Sequence, residues 1–233
     1  MAESRRRDED RGFLRENSLS IVFGLLFLGA LLGTAIAGHI DHNADAAAHG
    51  GKAVSFVDYV SSSQFGRQVM ENWQSEYLQF TLMMVLTIWF LQRGSPESKK
   101  LDQAGRESDK AQKIGSAAHA RSPKWARTGG WRTAIYSNSL LILMALIFFG
   151  SWFAQSVTGW TDYNQEQHDH GEAKVSWVTY AGSASFWEGT FENWQSEFLA
   201  VGSFAVFAIY LRQRGSPESK PVGAPHDATG IEG

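Results

Sequence analysis

The sequence predicts an all-α integral membrane protein with four transmembrane helices, arranged as two tandem hairpins repeated in parallel. Three observations predict it. Residues 18–38 and 138–160 carry no Asp, Glu, Lys or Arg, and about 20 helical residues cross a hydrocarbon core of about 30 Å. The hexapeptide ENWQSE stands at 71–76 and again at 192–197, each time leading into a shorter apolar run that ends in QRGSPESK, at 92–99 and 213–220. Lys and Arg gather in alternate segments, the pattern left by the positive-inside rule.

The repeat is checked by subtraction. Tyr59 and Tyr180, Phe65 and Phe186, His49 and His170, and Gly94 and Gly215 each stand 121 positions apart. Five segments follow: a tail at 1–12, a first two-helix repeat at 13–99, a linker at 100–133, a second repeat at 134–220 and a tail at 221–233. The linker is rich in Lys, Ser, Ala and Gly and reads as weakly ordered chain or a frayed helix.

The first helix of each repeat is the long uncharged run. Small residues at Gly29 and Gly33, and at Gly150 and Ala154, mark a face suited to close helix packing. The short runs at 77–91 and 198–211 rise only about 21 Å as helix. A helix that begins at or before ENWQSE supplies the missing turns. It places Trp73 and Trp194 at headgroup level, where tryptophan is enriched. Ser185, three before Glu188, has the spacing of a capping box, without a counterpart in the first repeat. Gly94 and Gly215 fit a left-handed C-cap, with Ser95 and Ser216 capping a new helix that has Pro96 or Pro217 at its first position.

Orientation follows from the basic residues. The first eighteen residues hold five Lys or Arg, residues 92–137 ten and the chain after 211 three, against two in 39–76 and one in 159–197. Both termini and the linker are therefore expected on the cytoplasmic side. Ala35-Ile36-Ala37 before Gly38 also fits a cleavable signal peptide, which would leave three spans. The internal counterpart at 138–160 favours retention.

Chemistry-bearing residues fall in two groups. The outer loops contain His39, Asp41, His42, Asp45 and His49 in one copy, and Asp162, Glu166, His168, Asp169, His170 and Glu172 in the other. Imidazole and carboxylate suit zinc, nickel or manganese. Of these, His39, Asp41, His42, His49, His168, Asp169 and His170 are the metal-ligand candidates, though their spacing matches no defined motif and a solvated acidic loop explains them as well. The second group is shared by both copies: Asn17, Glu71, Asn72, Trp73 and Glu76, with Asn138, Glu192, Asn193, Trp194 and Glu197. A carboxylate near hydrocarbon is costly and seeks a partner or an aqueous cavity.

The absence of cysteine excludes disulfides, thiolate metal sites and cysteine nucleophiles. No phosphate loop, haem-attachment or HExxH motif is present, so no cofactor and no catalytic residue is expected. The sparsely basic linker, with Trp125 and Trp131, suits anionic lipid rather than nucleic acid.

FENWQSEFL before the second span and LRQRGSPESK after it, with their near-copies in the first repeat, resemble a family of uncharacterised bacterial membrane proteins grouped as a domain of unknown function. The resemblance covers about 13–99 and 134–220. It rests on Glu71, Asn72, Trp73, Ser75, Glu76, Arg93, Gly94, Ser95, Glu97 and Ser98 and their partners 121 residues later, with Tyr77 departing from the phenylalanine kept at Phe198. It implies a multi-pass protein of a bacterial plasma membrane and brings no activity. The expectation is a non-enzymatic structural or envelope-associated protein whose partner is the lipid bilayer, with a homo-oligomer compatible. A small ion or solute transporter or channel-like protein is the first alternative. A membrane metal-binding protein or enzyme using the outer-loop residues is the second.

Overall fold

The computed structural model describes residues 12–232 and is all-helical, with nine α-helices and no strand among those residues. The expected tail at 1–12, with the basic start of the signal-peptide alternative, lies almost wholly outside them. The short α1 (Phe13–Glu16) leads into α2 (Ser18–Ala48), followed by α3 (Phe56–Val60) and α4 (Ser63–Trp89). After the linker come α5 (Lys124–Thr128), α6 (Gly130–Ser137), α7 (Ser139–Asp169), α8 (Trp177–Ala181) and α9 (Ala184–Tyr210).

Two of these helices, α2 and α7, are long and apolar enough to cross a membrane. Helices α4 and α9 run 27 residues each. They begin about two turns before ENWQSE, so the polar hexapeptide lies inside the helix rather than at its first turn. The sequence-expected capping box at Ser185 gives way to a cap two residues earlier. Ser183 Oγ accepts from the Phe186 N–H, and Ser62 Oγ accepts from the Phe65 N–H. This cap is common to both repeats, because Ser62 and Ser183 also stand 121 apart.

The long helices start alike. Asn17 Nδ2 donates to the Phe13 carbonyl at 2.8 Å, and Asn138 Nδ2 donates to the Ala134 carbonyl at 2.7 Å. Each asparagine thereby ties the preceding short helix to the long one. They end alike too. Gly50 and Gly171 both take φ 74°, the left-handed turn that follows a helix end, while His49 and His170 lie 2.9 Å from the carbonyls of Asp45 and Glu166. Gly29, Gly33 and Gly150 face open space, so the small-residue stripe marks no close helix contact.

The chain forms two compact units, residues 1–66 and 67–233. They do not follow the repeat boundary, because most of α4 packs with the helices of the second repeat. The linker is folded rather than frayed: Trp125 and Trp131 meet edge to face, Thr133 Oγ1 donates to the Trp125 carbonyl at 2.6 Å, and Lys99 pairs with Glu107 at 2.6 Å.

Candidate functional site

Burial in the larger unit runs opposite to that of a water-soluble protein. Gln74, Gln155 and Thr190 are buried, at 0%, 1% and 0% exposure, while Leu143, Leu146, Phe149 and Phe153 on α7 face outward. The buried polar side chains lie where α4, α7 and α9 meet. Arg67 Nε sits 2.9 Å from Asp162 Oδ2, and Arg67 also pairs along its own helix with Glu71. Gln155 Nε2 donates to Glu71 Oε1 at 3.4 Å. Gly189 on α9 leaves room for that carboxylate, since a Cβ there would lie 3.3 Å from its oxygen.

One turn along, Trp194 Nε1 donates to Gln74 Oε1 at 2.7 Å, and Ser75 Oγ donates to Glu197 Oε1 at 3.4 Å. An aromatic layer packs beside these bonds. Trp152 of α7 lies against Phe186, Trp187 and Trp194 of α9, with ring centroids 5.6–6.4 Å apart. Two buried amide atoms, Gln74 Nε2 and Gln155 Oε1, and the Trp152 indole nitrogen have no hydrogen-bond partner.

The two ENWQSE copies therefore do different work. In the first, Glu71, Gln74 and Ser75 point into the unit, while Asn72, Trp73 and Glu76 are exposed. In the second, Trp194 and Glu197 point in, while Glu192, Gln195 and Ser196 are exposed. Trp194 thus makes a helix–helix contact. Asn72 and Asn193 bond only locally, to the carbonyls of Gln68 and Gly189.

The segments that follow α2 and α7 carry a matched device that the sequence reading missed. Asn43 accepts from the Val54 N–H at 2.8 Å and donates to the Val54 carbonyl at 3.0 Å; Asn164 makes the same pair with Val175 at the same distances. His39 Nε2 lies 2.9 Å from the Val54 carbonyl, and Trp160 Nε1 donates to the Val175 carbonyl at 2.8 Å. The signal was available, because Asn43 and Asn164 obey the 121-residue offset. His39 is thus engaged by backbone, and His42 packs on Tyr59. His168 pairs with its neighbour Asp169. Asp41 acts electrostatically on Tyr59, whose hydroxyl is held above its ordinary value first by burial and then by that charge. Among the described residues no three His, Asp or Glu come together as a metal-binding group.

At the far end of the unit the two QRGSPESK copies fold alike and come together. The Gln92 and Gln213 N–H groups donate to Ser98 and Ser219 Oγ, both at 2.9 Å, closing each motif into a loop. Gly94 and Gly215 take φ 84° and 82°. No new helix starts at Ser95 or Ser216. Their hydroxyls accept from the N–H two residues on, at Glu97 and Glu218, and that local bond holds a turn. Glu97 and Glu218 hydrogen-bond to each other; burial, then that bond and the like charge of Glu218, hold Glu97 above the usual carboxylate range.

The tail then folds back over the first motif. Thr229 Oγ1 accepts from the Gly94 N–H at 2.8 Å, and the Gly230 N–H donates to the Ser95 carbonyl at 3.1 Å. Lys220, at 1% exposure, donates to the carbonyls of Gly94, His226, Ala228 and Pro225 at 2.6, 2.9, 3.2 and 3.3 Å. A side chain at Gly94 would strike the His226 carbonyl, whereas Gly215 faces open space. Gly215→Ala should therefore cost only the left-handed backbone penalty of about 1–2 kcal/mol. Gly94→Ala should cost visibly more in thermal unfolding of the purified protein. Equal losses would mean that the tail does not sit on the first motif.

The profile of a protein family described as a domain of unknown function, DUF6766, matches residues 10–231. The chain belongs to that family. The match runs through the linker and reaches Ile231, so the family's domain includes the tail that covers Gly94. No curated protein and no solved structure matches the chain.

A surface cleft of about 760 Å³ on the linker side is lined by residues including Lys99, Arg106, Glu107, Asp109, Lys113 and Tyr136. Its charges are mixed, and Lys99 and Glu107 are spent on each other. The polar core and the paired motifs are the two places where side chains shared by both repeats converge.

Proposed function

We propose that this family member is a four-span integral membrane protein of structural or envelope-associated role. It sits in a bacterial plasma membrane with both termini and the linker on the cytoplasmic side. The observation that carries this reading is the inverted burial: apolar side chains outward on α2 and α7, amides and hydroxyls inward. Lipid replaces water as the outer solvent, and buried polar groups join helices to one another. Helices α4 and α9 complete the two hairpins, with their first turns at the outer interface. The non-catalytic reading is favoured because the shared polar residues are engaged with each other. Glu71 meets Gln155, Gln74 meets Trp194, and Ser75 meets Glu197.

Topology is the decisive measurement, and a chain without cysteine suits it. A membrane-impermeant maleimide should label Lys52→Cys and Lys174→Cys on intact cells, and Ser108→Cys only after permeabilisation. Labelling of Ser108→Cys from outside, or recovery of the chain in the soluble fraction without detergent, would end the reading. The transport alternative draws on the acidic groups of the polar core: Glu76 acts electrostatically on Glu197 at the α4–α9 contact. Proteoliposomes holding wild type should show no pH-dependent ion flux. A flux lost in Glu76→Gln with Glu197→Gln would replace the structural reading with the transport one.

A further inference from the structure

The charges between the two repeats are not spread evenly. Residues 100–109 hold two Lys or Arg and three Asp or Glu, whereas residues 110–137 hold six Lys or Arg and no acid. Four of the six, Arg121, Lys124, Arg127 and Arg132, fall in the corner formed by α5 and α6 and the residues just before it. All four are exposed, and none enters an ion pair among the described residues. The same corner presents apolar surface. Ala126 and Thr133 are buried, and Thr133 Oγ1 donates to the Trp125 carbonyl, which ties α5 to α6. Trp125 and Trp131 stay outside, 43% and 64% exposed, with ring centroids 6.1 Å apart. The Arg132 guanidinium lies 5.4 Å over the Trp131 ring, and Ile135, one turn on, is exposed as well.

We propose that the α5–α6 corner is a docking surface for anionic phospholipid in the cytoplasmic leaflet. The proposal rests on the membrane reading of α7 and names the lipid class that this end of the span meets. Helix α6 is joined to the first turn of α7: Asn138 Nδ2 donates to the Ala134 carbonyl at 2.7 Å, and Ser139 Oγ donates to the Tyr136 carbonyl at 2.8 Å. Trp131 stands eight positions before Ser139, about 12 Å along a helix. A corner on so short a tether stays at the surface of the bilayer that α7 enters. Tryptophan beside Arg and Lys suits that boundary, the indoles toward the acyl chains and the cations among the phosphates. Exposed indoles gain from hydrocarbon as well as from charge, which favours lipid over an acidic protein as the occupant. Each Lys or Arg near an anionic surface strengthens attachment by about fivefold.

The lipid beside the corner can be read directly. The chain lacks cysteine, so a single donor dye can be placed at Thr128→Cys, in the corner, or at Lys174→Cys, beyond the other end of α7. Each labelled chain is inserted into bilayers of equal parts phosphatidylcholine and phosphatidylglycerol, with a trace of one or the other carrying an acceptor dye on its acyl chain. Energy transfer at Thr128→Cys should show phosphatidylglycerol enriched over phosphatidylcholine by about fivefold or more. Lys174→Cys should show no such enrichment. Arg121→Gln, Lys124→Gln, Arg127→Gln and Arg132→Gln together should abolish it, as should salt at about 1 M, where the Debye length falls to about 3 Å. Arg121→Lys, Arg127→Lys and Arg132→Lys together should keep it, because charge carries the attraction. Equal transfer to both lipids from an inserted chain overturns the proposal, leaves the membrane reading standing and hands the corner to an acidic protein partner. Enrichment that survives the four glutamines places the lipid contact elsewhere and overturns it too. A chain that does not insert overturns both readings.

Discussion

Replacing Lys220 with methionine is expected to release residues 221–230 from the first QRGSPESK motif. The methionine stem keeps most of the volume but brings no donor. Four carbonyls, of Gly94, Pro225, His226 and Ala228, now share one ammonium. An unsatisfied buried acceptor costs about 1–3 kcal/mol, and detachment of the tail is the cheapest way to return these carbonyls to water. Gly94 and Ser95 should then lose the partners supplied by Thr229 and Gly230. Hydrogen exchange should rise together in 221–230 and at Gly94. Lys220→Arg should not restore protection, because a planar guanidinium does not fit a socket shaped for a compact ammonium. The matching change Lys99→Met is the control. Lys99 is a quarter exposed and paired with Glu107, and pairs of that kind are worth about 0–1 kcal/mol. Equal exchange in Lys220→Met and wild type would show that the buried cation does not hold the tail.

Gly159→Ala is the second large effect. After each long helix the chain returns a tyrosine against a glycine of that helix. Tyr59 lies against Gly38 and Tyr180 against Gly159, and a Cβ at either glycine would overlap the tyrosine hydroxyl. At Gly159 the added carbon would also press on Arg67 Cδ at 3.2 Å, beside the Arg67–Asp162 pair. Burial pushes the Tyr180 hydroxyl up to about 12, with Arg67 lowering and Glu71 and Asp162 raising the value. Overpacking of this kind costs about 1–3 kcal/mol. Thermal unfolding in detergent should report that loss for Gly159→Ala, and Gly159→Ala with Tyr180→Phe should recover part of it. No recovery would place the damage at Arg67 rather than at the hydroxyl.

The helices and the repeat were legible because both are one-dimensional patterns: long uncharged runs, and landmarks at a fixed offset. The use made of the repeat was not. Two identical hexapeptides imply equivalent surroundings, yet Gln74 is buried and Gln195 exposed, because only one of the two neighbouring faces is filled within a single chain. The tyrosine-bearing glycines, Gly38 and Gly159, obeyed the offset as plainly as Gly94 and Gly215. Gly29 and Gly33 carry the spacing with a known packing meaning, yet their surroundings are open. Ser95 followed by Pro96 reads as a helix start until the Ser98 hydroxyl is seen to close the loop on the Gln92 N–H. Lys220 was hidden for a plainer reason. A lysine after an apolar run reads as a solvated flank, and its burial depends on ten residues of tail with no periodic signal.

The tail sets an order of events during synthesis. Gly94 leaves the ribosome 126 residues ahead of the lysine that grips its carbonyl and 135 ahead of the threonine that accepts from its amide. The first QRGSPESK loop must therefore wait, uncovered, until residues 220–230 have followed it.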